Sequence, residues 1–206
     1  EERRAYRLYM GHAYFGIHIL ERGIIFVALS LAQFLGVGLA CSFFFSHDGL
    51  VKYLLSISFA LLGAFILSFS RRISKHTNIE AFIGVLYIFS LAASILVLDR
   101  SPHGLEEFKT ILNGNIIWVS GDDIAWTFVL YAVIGIFHFI FRERFLALTF
   151  EEKGGFFWEF LFFLSFAVVL VKSVQMAGIL QVFAFLIIPA LIGRLFTRNT
   201  FAVLIG

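Results

Sequence analysis

Apolar runs long enough to cross a bilayer recur along almost the whole chain, and they leave room for few other folds. A helix needs about 20 largely apolar residues to span ~30 Å of hydrocarbon. Residues 24–45, 50–69, 79–98 and 124–141 each meet this requirement, and residues 160–196 hold two further spans joined at 175–178. Ahead of them residues 8–20 are apolar but interrupted by His12 and His18, which predicts a shortened first helix. The chain is 60% hydrophobic and 15% charged, whereas soluble domains are roughly 45–50% apolar. The expectation is an all-α, polytopic transmembrane bundle of about seven spans, a single transmembrane domain over residues 1–206. No repeat of fixed period divides it.

Charge reports topology. The net charge is only +2, and the basic residues fall in short clusters between apolar runs, which gives no footprint for nucleic acid. Counted by alternate loops with the head, Arg3, Arg4 and Arg7, set aside, one side collects Arg22, Arg71, Arg72, Lys75, Arg142, Arg144, Lys153, Arg194 and Arg198, and the other Lys52, Arg100 and Lys109. The richer side is expected in the cytoplasm. Cys41 is the single cysteine, so no internal disulfide or thiolate cluster can form. No basic segment followed by a short apolar core and a small-residue cleavage site is visible.

The chain carries little that could run a reaction. It lacks G-x-x-x-x-G-K-[ST], G-x-S-x-G and H-E-x-x-H, so it is not expected to hydrolyse ATP or to act as a common serine or zinc hydrolase. The polar interval 99–123, punctuated by Pro102, Gly104, Gly114 and Gly121, predicts an outer loop with a short amphipathic helix at 105–112. His47, Asp48, Asp99 and His103 fall on the outer side, with Asp122 and Asp123 close by. Imidazole with carboxylate suits zinc, manganese or iron at a shared mouth. The same residue types also cap helices and form turns. His12 and His18 are spaced off a common helical face and read as separate polar contacts.

The hairpin 160–196 contains Lys172, Gln175, Gln181 and Pro189. A charge or a freed carbonyl in lipid is costly, so these residues require protein partners or a wet cavity. Gly178, Ala184 and Ala190 offer notches for close helix contact. The cytoplasmic segment 142–158 is polar and suited to meet a soluble partner.

Three runs carry a family resemblance: residues 16–26 (GIHILERGIIF), residues 114–120 (GNIIWVS), and the hairpin run VQMAGILQV followed by FLIIPA. The last resembles the "VQ-x-x-G-x-L-L-V … L-I-I-P-A" pattern of the membrane permeases of metal-type ABC importers, which carry zinc, manganese or iron. Residues 148–152 (LTFEE) resemble the "S-F-D-x-E" opening of that family's coupling element, which implies that Phe150, Glu151 and Glu152 contact a cytoplasmic ATP-binding subunit. The element is shorter here, since Lys153, Gly154 and Gly155 lead almost directly into the next span.

The resemblance implies a second permease copy, an extracytoplasmic metal-binding protein, and a bacterial-type cytoplasmic membrane. It implies no tightly bound cofactor, only a transported Zn, Mn or Fe ion, and it implies further spans beyond those present, eight or more. The family's pathway ligands, an aspartate and a histidine one turn later in the second span, correspond to Ala28 and Ala32. Those substitutions open an alternative: a helical membrane protein of the same fold that no longer transports metal.

Overall fold

The computed structural model describes residues 14–22, 24, 26–45, 49–73, 78–100, 104–114, 120–150 and 155–196. Among these every regular element is helical. Residues 14–21 form α1. There follow α2 (Phe26–Phe45), α3 (Gly49–Leu67), the single turn α4 (Ser70–Ile73), α5 (Ile79–Leu98), α6 (Gly104–Asn113), α7 (Gly121–Ile140), α8 (Arg142–Phe150), α9 (Phe156–Ala177) and α10 (Ile179–Phe196). Five of them, α2, α3, α5, α7 and α9, are long and apolar enough to cross a membrane, and α10 adds a shorter apolar stretch.

Local chemistry sets several boundaries. Asn78 caps α5 by accepting from the Ala81 amide, and Ser120 caps α7 by accepting from the Asp123 amide while its hydroxyl donates to Asp123 Oδ2 at 2.8 Å. Each satisfies an amide that the first turn leaves without a partner. Gly178 stands between α9 and α10 at φ +79°, and Gly114 ends α6 at φ +59°. The two glycines lie back to back. A Cβ on Gly178 would run into Asn113 and Gly114 backbone, and one on Gly114 into Ala177 and Gly178 backbone. Only glycine combines this left-handed backbone with so close an approach, so the end of α6 is locked on the α9–α10 turn.

Helix α2 is the axle of the bundle, packing chiefly on α3 and α5 and also touching α6, α9 and α10. Helix α3 packs on α9 in turn. Small residues permit this: a Cβ on Gly38 would lie 2.5 Å from the Leu55 carbonyl oxygen and 2.9 Å from Ser56 Cα. In lipid, association rests on such close packing and on polar contacts, because exchanging lipid for leucine brings no hydrophobic gain.

Successive spans alternate in direction. Arg22, Arg72, Arg142 and Arg144 therefore gather at one end with the start of α9, and Lys52, Arg100 and Lys109 at the other. The sequence placed span four at 79–98, where α5 lies. It began the sixth span too late: α9 starts at Phe156, inside the segment read as polar, because Phe156, Phe157 and Trp158 extend the apolar run past Glu159.

Candidate functional site

The basic end holds a buried polar and aromatic cluster that ties four helices together. Arg22, in the turn after α1, reaches Glu159 in the first turn of α9, and its Nη2 donates to both carboxylate oxygens at 2.9 and 2.7 Å. The side chains are 9% and 1% exposed, so the pair is withdrawn from solvent. The guanidinium also lies 5.6 and 5.4 Å from the ring centroids of Phe162 and Phe163. An arginine can be held this way because its charge is delocalised over a plane that both bonds a carboxylate and stacks on π faces.

Helix α8 is fastened to the same cluster. Thr149 Oγ1 and His18 Nδ1 are hydrogen-bonded at 2.6 Å. Phe145, fully buried on α8, stacks on the His138 ring at 4.1 Å and meets Trp158 and Phe162 edge-on or tilted. His138 in turn contacts Ser165 Oγ through Nε2 at 2.7 Å and Tyr14 Oη through Nδ1 at 3.2 Å. Ser165 already donates to the Phe162 carbonyl, which makes its oxygen the acceptor for His138 Nε2–H and leaves Nδ1 to accept from Tyr14. His18 is thus a single polar contact inside the bundle, as its spacing from His12 predicts; His12 lies outside the described residues.

Of the three residues expected to contact an ATP-binding subunit, Phe150 ends α8 with 45% of its surface exposed, while its neighbours Leu148 and Thr149 are buried. A large exposed aromatic at the tip of an anchored helix is suited to fill a partner's pocket. Glu151 and Glu152 lie outside the described residues.

The opposite end is less complete. His47, Asp48 and His103 lie outside the described residues; Asp99 caps the end of α5 and is exposed. With Arg100, Cys41, Phe44, Phe45, Leu96 and Val97 it lines an open groove between the ends of α2 and α5. Among the described residues no group of three or more His, Cys, Asp or Glu is close enough to hold a metal ion. Ala28 and Ala32 sit one turn apart on α2, 2% and 3% exposed within the apolar core. Nearby on the helix, Ser30 Oγ is buried without a hydrogen-bond partner among the described residues, and Gln33 is 3% exposed.

Lys172 has the partner its position demands: Nζ donates to Asp123 Oδ1 at 2.8 Å. Asp123 is half exposed, so this pair sits at the rim of the bundle and keeps Asp123 engaged with the α7 cap and the lysine together. It heads a seam between α7 and α9, continued by Thr127 donating to Met176 Sδ and by Tyr131 against Ser173. Gln175 and Gln181, either side of the Gly178 turn, are exposed. The expectation that the hairpin faces protein therefore fits most of α9, whereas α10 also turns Leu180, Ile188, Leu191 and Ile192 outward.

Sequence reading gave Glu159 and Phe145 no role, quoted Thr149 only within the LTFEE run, and used Arg22 to assign a side and as part of the run 16–26. An arginine followed by glycine between two apolar runs signals a turn equally well, and Glu159 is more than a hundred residues away. The one available signal is Glu159 itself, a carboxylate set among Phe156, Phe157, Trp158, Phe160 and Phe162.

Comparison with known proteins agrees with this architecture. A structure titled PsaBC from Streptococcus pneumoniae in complex with Fab superposes with a TM-score of 0.75 over 98% of this chain and 74% of that one, at 23% identity, a likeness of fold. A probable metal transport system membrane protein of Thermotoga maritima is 27% identical over 190 residues, 88% of this chain and 65% of that protein. The manganese transport system membrane protein MntC of Listeria monocytogenes is 25% identical over 191 residues, 89% of this chain and 66% of its own length. The chain thus spans about two thirds of the length of these relatives. Residues 10–206 match the family described as the ABC 3 transport family, and with that coverage the chain belongs to the ABC 3 transport family.

Proposed function

We propose that this chain is the membrane permease of an ABC importer for a divalent transition metal, manganese, zinc or iron, driven by a separate cytoplasmic ATP-binding subunit. The observation that carries the reading is α8: a short helix at the basic end, packed firmly on α1 and α9, that presents Phe150 outward. A permease that makes no ATP chemistry of its own needs such a rigid projection to receive movement from its partner. The family match and relatives described as manganese or metal transport system membrane proteins support the cargo. The basic end then faces the cytoplasm of a bacterial-type inner membrane. A second permease copy and an extracytoplasmic metal-binding protein complete the assembly.

Phe150→Ala should loosen the complex with the ATP-binding subunit by ~2 kcal/mol or more, the usual worth of a buried aromatic anchor. Co-purification unaffected by the substitution places the docking site elsewhere.

The alternative, a bundle without metal transport, is favoured by Ala28 and Ala32, which bring only methyl groups to the core of α2. Neutral Ser30 and Gln33 are weak ligands for a transition metal. The proposal therefore places any tight metal at the outer mouth, on His47, Asp48, Asp99 or His103, and not midmembrane. Metal stoichiometry of the purified protein should fall on removal of His103 and rise in the Ala28→Asp/Ala32→His variant. Tight stoichiometric metal insensitive to every outer-mouth substitution would falsify this placement.

A further inference from the structure

We infer that the Arg22–Glu159 ion pair is a positioning element: it holds the end of α1 against the first turn of α9 and so builds the seat on which α8 is held at one angle to the bundle. The inference rests on the reading of α8 as the segment that meets the ATP-binding subunit, and it names the residues that make that segment rigid.

The geometry has three parts. Arg22 Nη2 bridges both oxygens of Glu159, and its guanidinium covers Phe162 and Phe163. Phe162 is also a wall of the seat, because Phe145 of α8 and His18 of α1 both pack on its ring, at 6.2 and 5.6 Å between centroids. Thr149 then closes the arrangement from the far end of α8 through its bond to His18. Helix α8 is consequently fixed at two places a turn apart, Phe145 against Phe162 of α9 and Thr149 against His18 of α1, the two elements that the ion pair holds side by side.

Stability alone is a poor account of this pair. Withdrawing two charges from water is costly, and apolar residues of similar volume often leave a protein equally stable. Arg22 Nη1 is buried with no hydrogen-bond partner among the described residues, which adds to that cost. What an ion pair supplies and a greasy contact does not is a direction: the carboxylate admits the guanidinium in few orientations. A greasy replacement would keep the helices together and let them rotate or slide.

That difference is the test. In the full chain in nanodiscs, in a Cys41→Ser background, spin labels at Glu143→Cys on α8 and Gln175→Cys at the far end of α9 report the angle of α8 as a distance distribution. Both sites are exposed. The native protein should give one narrow peak. Arg22→Ala and Glu159→Ala should lose it, and because either single variant leaves one buried charge and can fail to fold, the deciding variant is Arg22→Met/Glu159→Leu. It should fold with a thermal midpoint near that of the native protein yet show a broad or split distribution, and in complex with the ATP-binding subunit, which hydrolyses the ATP, it should give reduced metal uptake per ATP. A single narrow peak in the double variant overturns the inference. A broadened peak without any association of the ATP-binding subunit supports the positioning role and overturns the docking role of α8, so the two readings fail separately.

Discussion

Helices α2 and α7 are the same length, twenty residues, and almost equally apolar, with mean hydropathy 1.9 and 1.8, yet 13 residues of one are buried in the bundle and only two of the other, Thr127 and His138. Hydropathy measures affinity for lipid and says nothing about affinity for neighbouring helices. What differs is the size and polarity of the side chains. Helix α2 carries Ala28, Ser30, Ala32, Gly36, Gly38, Ala40 and Ser42, so other backbones can close on it from several directions. Helix α7 carries Trp126, Phe128, Val129, Val133, Phe139 and Ile140 outward and touches α9 through one line of polar residues, Asp123, Thr127, Tyr131 and His138. One helix is held by shape and the other by a row of hydrogen bonds.

The sharpest way to break that contrast is to place the same large side chain on both. Gly38→Leu should abolish folded protein or cost upwards of ~3 kcal/mol, since overpacking at a helix crossing must move backbone and not merely a rotamer. Gly135→Leu, where a Cβ meets nothing within 4 Å, should leave the thermal midpoint unchanged in the same detergent. Equal tolerance of both would mean that α2 is not held by close approach.

A smaller effect is expected from the seam. Tyr131→Phe and Thr127→Val each delete a hydrogen bond to α9 and strand little, because Ser173 still donates to the Val169 carbonyl and the Met176 thioether is only a weak acceptor. Interhelical hydrogen bonds in membranes average about 0.6 kcal/mol, so the two together should cost roughly 1 kcal/mol. No loss at all would show that α7 is held by its aromatic contacts and not by these bonds. The smallest effect belongs to the outward face: Phe139→Leu, at a residue 68% exposed, should shift the isolated chain by less than ~0.5 kcal/mol. If it weakens only the assembled complex, that face of α7 is covered by another subunit.

Much of this architecture could be read from the sequence. The spans stood out because a helix in lipid must satisfy its own backbone, which forces long apolar runs whatever the fold. Lys172 announced that it needed a partner, and it has one, but nothing in the order of residues pointed to Asp123, forty-nine positions earlier. Asp123 was grouped with loop ligands, whereas its carboxylate serves the α7 cap and the lysine. The LTFEE run directed attention to Phe150, and the structure leaves it exposed at the tip of α8. The residues that brace that tip were not legible, because Arg22 and Glu159 are ordinary charged residues until the fold sets them together.

By itself the sequence determined a membrane bundle, the approximate ends of its spans, their alternation, and a family resemblance carried by short contiguous runs. These are properties of local composition and of neighbours along the chain, and lipid enforces them span by span. Only the tertiary structure decided which spans are central and which peripheral, which partner each buried polar group takes, and that α1, α8 and α9 share one joint. Those outcomes depend on side chains from distant segments meeting at distances of a few ångströms, and no periodicity along the chain encodes that meeting.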